Sequence, residues 1–280
     1  NNRYIAWFAF IAFIVVNGFI WGLLEISSNM LAFGFLPQIE YSDMNGYGPF
    51  VPGTLWFGLY WSLFCLVLCL VITAFYIRGK EEQFKYRWTK AKTDFGKKKL
   101  ALTLSLVAFV VCGGFVYYNT KILNTYDSAK ESEDIQVAYE KKYKKYEHLT
   151  QPRFYKLDYK IDIFPESRSV KTNVDAWARN ISGQPITELH FTMPLLTDSI
   201  KINIPGAKIK TNDTELLYRI YTLERPLLAG DSIKINVRLH KESPGFENEV
   251  SFAQLTQNGT FFNNTDIMPS FGYNTDYEIS

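Results

Sequence analysis

Apolar runs at the front of the chain and strict two-residue alternation at the back predict a protein in two parts. The fold class is membrane α-helical, with three spans, followed by a stalk helix and an all-β antiparallel sandwich or saddle domain. Three observations carry this. No lysine or arginine lies between Tyr4 and Ile77. A second uncharged run covers residues 100–118. From Phe154 onward, apolar residues recur at every second position.

The spans follow from length. A helix rises about 1.5 Å per residue, so a hydrocarbon core of roughly 30 Å takes about 20 apolar residues. Residues 4–24, 55–77 and 100–118 satisfy this. The first run is too long for a cleaved signal peptide and lacks a small-residue cleavage pattern. Between the second and third runs, residues 78–99 hold nine basic side chains against Glu81, Glu82 and Asp94. Short loops rich in Lys and Arg stay in the cytoplasm, so this loop is expected there and everything after residue 118 on the far side. The loop reads as a topology determinant beside anionic lipid. Whole-chain averages conceal the division: net charge is +2 and mean hydropathy is −0.09. That balance gives no reason to invoke nucleic acid.

Residues 25–54 join the first two spans. Tyr41–Phe50, rich in glycine and aromatics, suits an ordered turn at the outer interface, and residues 27–35 suit a short re-entrant or interfacial helix. Cys65, Cys69 and Cys112 all lie within expected spans. With none in the exported part, no disulfide framework is expected there.

Residues 119–151 are expected to form the stalk. Ser128 and Glu131 have capping-box spacing. Ile135, Tyr139, Tyr143 and Tyr146 then fall on one helical stripe, and Pro152 marks the limit. Residues 152–280 are the expected β domain. Tyr155, Leu157, Tyr159, Ile161 and Ile163 alternate with Lys156, Asp158, Lys160 and Asp162. Residues 232–240 alternate as cleanly, and 170–179, 189–193, 200–204 and 216–223 do so more weakly. Many short alternating strands mean half-buried antiparallel sheet. Turns are expected at Pro165, Gly183, Gly206, Asn212-Asp213 and Gly230.

Catalytic chemistry is sparse. His148, His190 and His240 have no zinc-ligand spacing. His190 and His240 fall on the polar side of expected strands and read as surface residues. Asp158 and Asp162 alternate with lysines, as in a solvated ladder. No nucleophile elbow or phosphate-binding glycine loop is present, so the expectation is that this chain alone catalyses nothing, with no catalytic residue and no metal ligand in it.

The phrase P-R-F-Y-K-L-D-Y-K-I-D-I-F-P-E-S-R-S-V-K-T-N-V-D-A-W-A-R-N, residues 152–180, resembles the opening of zinc aminopeptidases of the aminopeptidase N family. I-T-E-L-H-F-T-M and P-L-L-A-G-D-S-I-K-I-N-V-R-L look like later strand phrases of the same domain. The whole order, from Y-S-D-M-N-G-Y-G through the basic loop to Y-E-K-K-Y-K-K-Y-E, is similar to bacterial fusions of an ABC-type permease portion with a periplasmic aminopeptidase portion. The resemblance implies a bacterial inner membrane, with the part after about residue 118 in the periplasm. It implies partners: the lipid bilayer, an ATPase subunit and other membrane or periplasmic proteins, with peptide substrate met only through a downstream domain. It also implies zinc in a downstream catalytic domain, since G-x-M-E-N and H-E-x-x-H are missing here. The first residues, Asn1-Asn2-Arg3, and the last, Ile279-Ser280, read as the ends of a piece of a longer protein. In the family, a Gln or Glu near the end of the β domain binds the substrate's amino end. Gln257 and Asn258 occupy the comparable place, although Asn263 and Asn264 replace the charged residues that follow in the family. The alternative expectation is non-enzymatic: a membrane-anchored β-sandwich that binds or scaffolds partners.

Overall fold

The computed structural model describes residues 3–39, 41, 43, 46–48, 50–76, 84–124, 127–195, 197–248, 255–256 and 259–279. The chain divides into two compact units. One is Asn1–Ala129 with Gly245–Ser251, and the other is Lys130–Pro244 with Phe252–Ser280.

The first unit contains α1 (Arg3–Leu23), α2 (Phe50–Phe75) and α3 (Phe84–Tyr117). All three are long and apolar enough to cross a membrane. Apolar side chains on every side leave little choice of one buried stripe, and most stay exposed within the unit. α2 begins five residues before the expected span, because Pro52 is tolerated in a first helical turn. α3 begins at Phe84, so much of the basic stretch expected as a loop is helix. Lysine, arginine and alanine favour helix, and one glycine, Gly96, does not stop it. Residues 77–83 lie outside the described residues. The helix widens at its far end into a π-helical turn, Tyr118–Leu123.

α2 and α3 pack antiparallel. Trp56 meets Phe115 at 4.4 Å between ring centroids, Tyr60 stacks on Phe109 at 4.9 Å, and Lys98 Nζ donates to Thr73 Oγ1 at 2.9 Å. Gly113 leaves room for Tyr60, whose ring would meet a Cβ there at 3.0 Å. Residues 27–35, expected as a short helix, form hydrogen-bonded turns instead. Trp61 Nε1 holds them on α2 by donating to the carbonyls of Asn29 and Phe35. Gly245–Ser251, distant in sequence, also belongs to this unit. Phe246 is 3% exposed, against Phe57 and Phe115. Asn29 donates its backbone N–H to Asn248 Oδ1 at 2.9 Å and its side-chain amide to the Asn248 carbonyl.

The second unit has three layers. α4 (Ala129–Tyr143) starts directly after Ser128, as expected. The strands are β1 (Arg153–Phe164), β2 (Ser169–Arg179), β3 (Ile186–Thr192), β4 (Ser199–Asn203), β5 (Ala207–Asp213), β6 (Tyr218–Leu227) and β7 (Ser232–Glu242). Near the C-terminus come β8 (Leu255–Thr256), β9 (Gly259–Thr260), α5 (Asn264–Ile267) and β10 (Ser270–Phe271). One antiparallel sheet runs β1-β2-β7-β4 and the other β10-β3-β6-β5. The core lies between them, built on Val174, Ala176, Leu189, Phe191, Tyr221, Ile235 and Val237. β5 was not expected, and Asn212-Asp213, expected as a turn, ends it. Polar residues, Lys208, Lys210, Thr211, Asn212 and Asp213, dominate this edge strand and mask its period. Residues 214–217 make the turn instead, with Leu217 at φ 52°.

Candidate functional site

Tyrosines join α4 to the outer face of the second sheet. Tyr139 and Tyr143 project from α4, Tyr146 from the 3-10 turn that follows, and all three meet Tyr218 of β6. Tyr143 and Tyr218 stack at 4.1 Å. Tyr273 stacks on Tyr139 at 5.0 Å, and Tyr277 packs at its edge. Tyr143 Oη and Lys142 Nζ both donate to Asp213 Oδ2 at 2.6 Å. Burial alone would raise the Asp213 carboxyl. The bonds from Lys142, Tyr143 and the Leu216 amide outweigh it, so the pKa lies below the ordinary carboxylate value. Burial, aided by the Asp213 bond, raises the Tyr143 phenol, and burial among neighbouring phenols raises Tyr218.

His190 lies in this layer. It is 1% exposed, which corrects the expectation of a surface histidine, while His240 is half-buried. Strand alternation does place His190 away from the sandwich core, but α4 and its 3-10 turn cover that second face. His190 Nδ1 lies 3.1 Å from Tyr218 Oη, and its ring is 4.6 Å from that of Tyr146. Nε2 is buried without a hydrogen-bond partner, with Glu188 Oε2 at 3.6 Å. Glu188 is itself held by Lys210 Nζ at 2.6 Å, which lowers its pKa despite burial. Burial depresses the imidazole pKa, and Glu188 only partly opposes this.

The sign of the pH effect follows. An unfolded histidine binds a proton near pH 6.5 and the folded His190 only at lower pH. Its contribution is full above about pH 6.5 and is lost as pH falls from there towards the depressed folded value. Glu188 and Asp213, also lowered, add their losses further into acid, below about pH 4.5. The thermal midpoint of the chain should therefore fall between about pH 7 and pH 5. In His190→Gln that part of the fall should vanish while the acid limb remains; an unchanged profile would contradict this.

A groove of about 540 Å³ lies on another side of the same unit. Its walls are the start of β1, including Phe154, Leu157 and Tyr159, and the segment from Asn264 to Phe271. Phe154 stacks on Phe271 at 4.4 Å, and Tyr159 Oη donates to Asn264 Oδ1 at 3.0 Å. Gln151 links this wall to β3, with Oε1 accepting from the His190 amide at 2.9 Å and Nε2 donating to the Glu188 carbonyl at 3.2 Å. Arg153 supplies a cation to the groove lining, and burial raises the Tyr159 phenol. The trough is largely apolar with a few polar groups, and among the described residues it holds no nucleophile–base pair.

The two residues expected to meet a substrate amine, Gln257 and Asn258, lie outside the described residues. The flanking strands pair Leu255 with Thr260 and Thr256 with Gly259. Among the described residues no group of three His, Cys, Asp or Glu is placed to hold a metal, so these residues do not fit a zinc site. Cys65 and Cys69 are exposed on α2, and Cys112 is buried. The signal for the burial of His190 lies outside its own strand, in the tyrosine stripe of α4 and the turn after it.

The fold and groove define a class: a chain with three membrane-length helices and a three-layer β unit bearing an apolar trough. No protein-family model matches the chain, and no curated protein matches it.

Proposed function

We propose that this chain is the membrane anchor and N-terminal β domain of a transporter-linked zinc aminopeptidase. One observation supports the reading above the others. Three membrane-length helices and a two-sheet antiparallel unit occur in one chain, in the order that the resemblance to permease–aminopeptidase fusions implies. In this reading the helices lie in a bacterial inner membrane and residues after about 118 face the periplasm. A catalytic domain outside these residues carries the zinc, and an ATPase subunit and peptide substrate are its partners. Zinc hydrolysis takes three protein ligands and a base beside the metal-bound water. The role of this chain is therefore to hold that domain at the membrane and to border its substrate site near Gln257 and Asn258.

The test has two arms. Cysteines placed singly at Lys92 and Asn212 should be inaccessible and accessible, respectively, to an impermeant thiol reagent on intact cells with a permeable outer membrane. The reverse pattern would invert the topology. Residues 1–280 should release no amino acid from aminoacyl anilides, whereas the full gene product should do so with one zinc per chain. There, Gln257→Ala or Asn258→Ala should lower kcat/KM about tenfold or more for substrates with a free amino end. A full gene product without bound zinc or release would defeat the reading.

A further inference from the structure

We propose that two copies of this chain associate through β1, pairing antiparallel about Tyr159 and joining two four-stranded sheets into one. β1 pairs with β2, and among the described residues no strand pairs with its other edge. It is twelve residues long and contains no proline or glycine. A long open edge of this kind recruits another strand, and proteins usually shorten, bulge or cover it. Here the register irregularity lies at the start, between Phe154 and Lys156; from Lys156 to Phe164 the pairing with β2 is uninterrupted.

Charge order identifies the occupant. Lys156, Asp158, Lys160 and Asp162 stand on the outer face, in register with Trp177, Asp175, Asn173 and Lys171 of β2. Placing Tyr159 opposite Tyr159 of a second copy sets Lys156 against Asp162 and Asp158 against Lys160. Two-fold symmetry makes each pair occur twice. Sliding by two residues in either direction sets lysine against lysine and aspartate against aspartate. Sliding by one exchanges the two faces of the sheet. Opposite charges directly across a strand pair stabilise it and like charges destabilise it. The pattern therefore favours a single register for self-pairing, and the two-fold closes the assembly at a dimer.

The apolar side of the edge agrees. Ile161 and Ile163 continue the inward row of β1 beyond the core and remain 41% and 42% exposed. In the proposed register Leu157 of each copy lies opposite Ile161 of the other, which covers surface that β2 cannot reach. A second copy supplies both the complementary charges and the apolar row.

The test uses the whole chain in detergent micelles, with the protein mass read by light scattering corrected for detergent. At micromolar concentration the unaltered chain should have the mass of two copies. K156E/K160E makes the row entirely acidic and D158K/D162K makes it entirely basic. Each should weaken self-association by about tenfold or more, with an unchanged circular dichroism spectrum. Mixed and differently tagged, the two variants should co-purify as a heterodimer, because every cross-strand pair is then opposite in charge. A monomeric unaltered chain would overturn the proposal. So would a dimer indifferent to both variants, which places association on another surface such as the helices, or variants that fail to recombine.

Discussion

Tyr218→Ala should destabilise the second unit by about 3–5 kcal/mol, the loss expected when a fully buried aromatic is removed. Tyr218 is fully buried at the centre of the layer between α4 and the second sheet. It stacks against Tyr143, meets Tyr139 and Tyr146, and lies within hydrogen-bond distance of His190 Nδ1. Truncation leaves a cavity under the helix and orphans the imidazole nitrogen, whose Nε2 already lacks a partner. Tyr218→Phe keeps the packing and loses the hydroxyl, so its cost should be about 1–2 kcal/mol. Denaturant unfolding followed by tyrosine fluorescence separates the two, and protease susceptibility of residues 129–146 reports release of α4. An alanine variant within about 1 kcal/mol of the parent would contradict the assignment of Tyr218 as the keystone of this layer.

Gly245→Ala should cost the helical unit at least about 2 kcal/mol, from two independent causes. Gly245 has φ 62°, a conformation in which a Cβ crowds its own backbone. The Cβ would also overlap Asn119 Oδ1 and meet Leu123 Cδ2 at 3.0 Å. Asn119 has little freedom to retreat, because its amide donates to the Phe115 carbonyl at 2.9 Å and the residue is buried in the π-helical turn. Displacing Gly245 also displaces Phe246, which fills the space beside Phe57 and Phe115. Thermal unfolding in detergent reads the loss. Combining Gly245→Ala with Asn119→Ala should recover part of it, since the obstruction is gone while the backbone strain remains. Strict additivity of the two changes would show that the collision is not the cause.

Much of the architecture was legible in the residues. The three apolar runs mark the helices, because span length and hydropathy are properties of a continuous segment. The alternation of β1 and β7 marks those strands, because the two-residue period is local to each. The tyrosine stripe of α4 was visible for the same reason, and its four-residue spacing does face a partner. Helix boundaries were less legible. Residues 84–99 carry charge that argues for a loop by topology, yet their helix propensity lets α3 run through them. The weak strand β5 carries no clear two-residue period, since an edge strand need not bury every second side chain. The groove was not legible, for its walls come from β1 and from residues after 263, and no short-range pattern brings these together. The residues singled out for substrate contact, Gln257 and Asn258, lie outside the described part.

By itself, then, the sequence determined segment types: which stretches can satisfy their backbone as helix in an apolar medium, and which present one wet and one dry face as strand. The tertiary structure decided what covers each face. It covered the second face of β3 with α4 and so buried His190, although alternation alone assigns that side to water. It also took Gly245–Ser251, which follows the last long strand, into the helical unit. Both outcomes depend on contacts between residues far apart in the chain, where burial is set by the partner surface and not by local period.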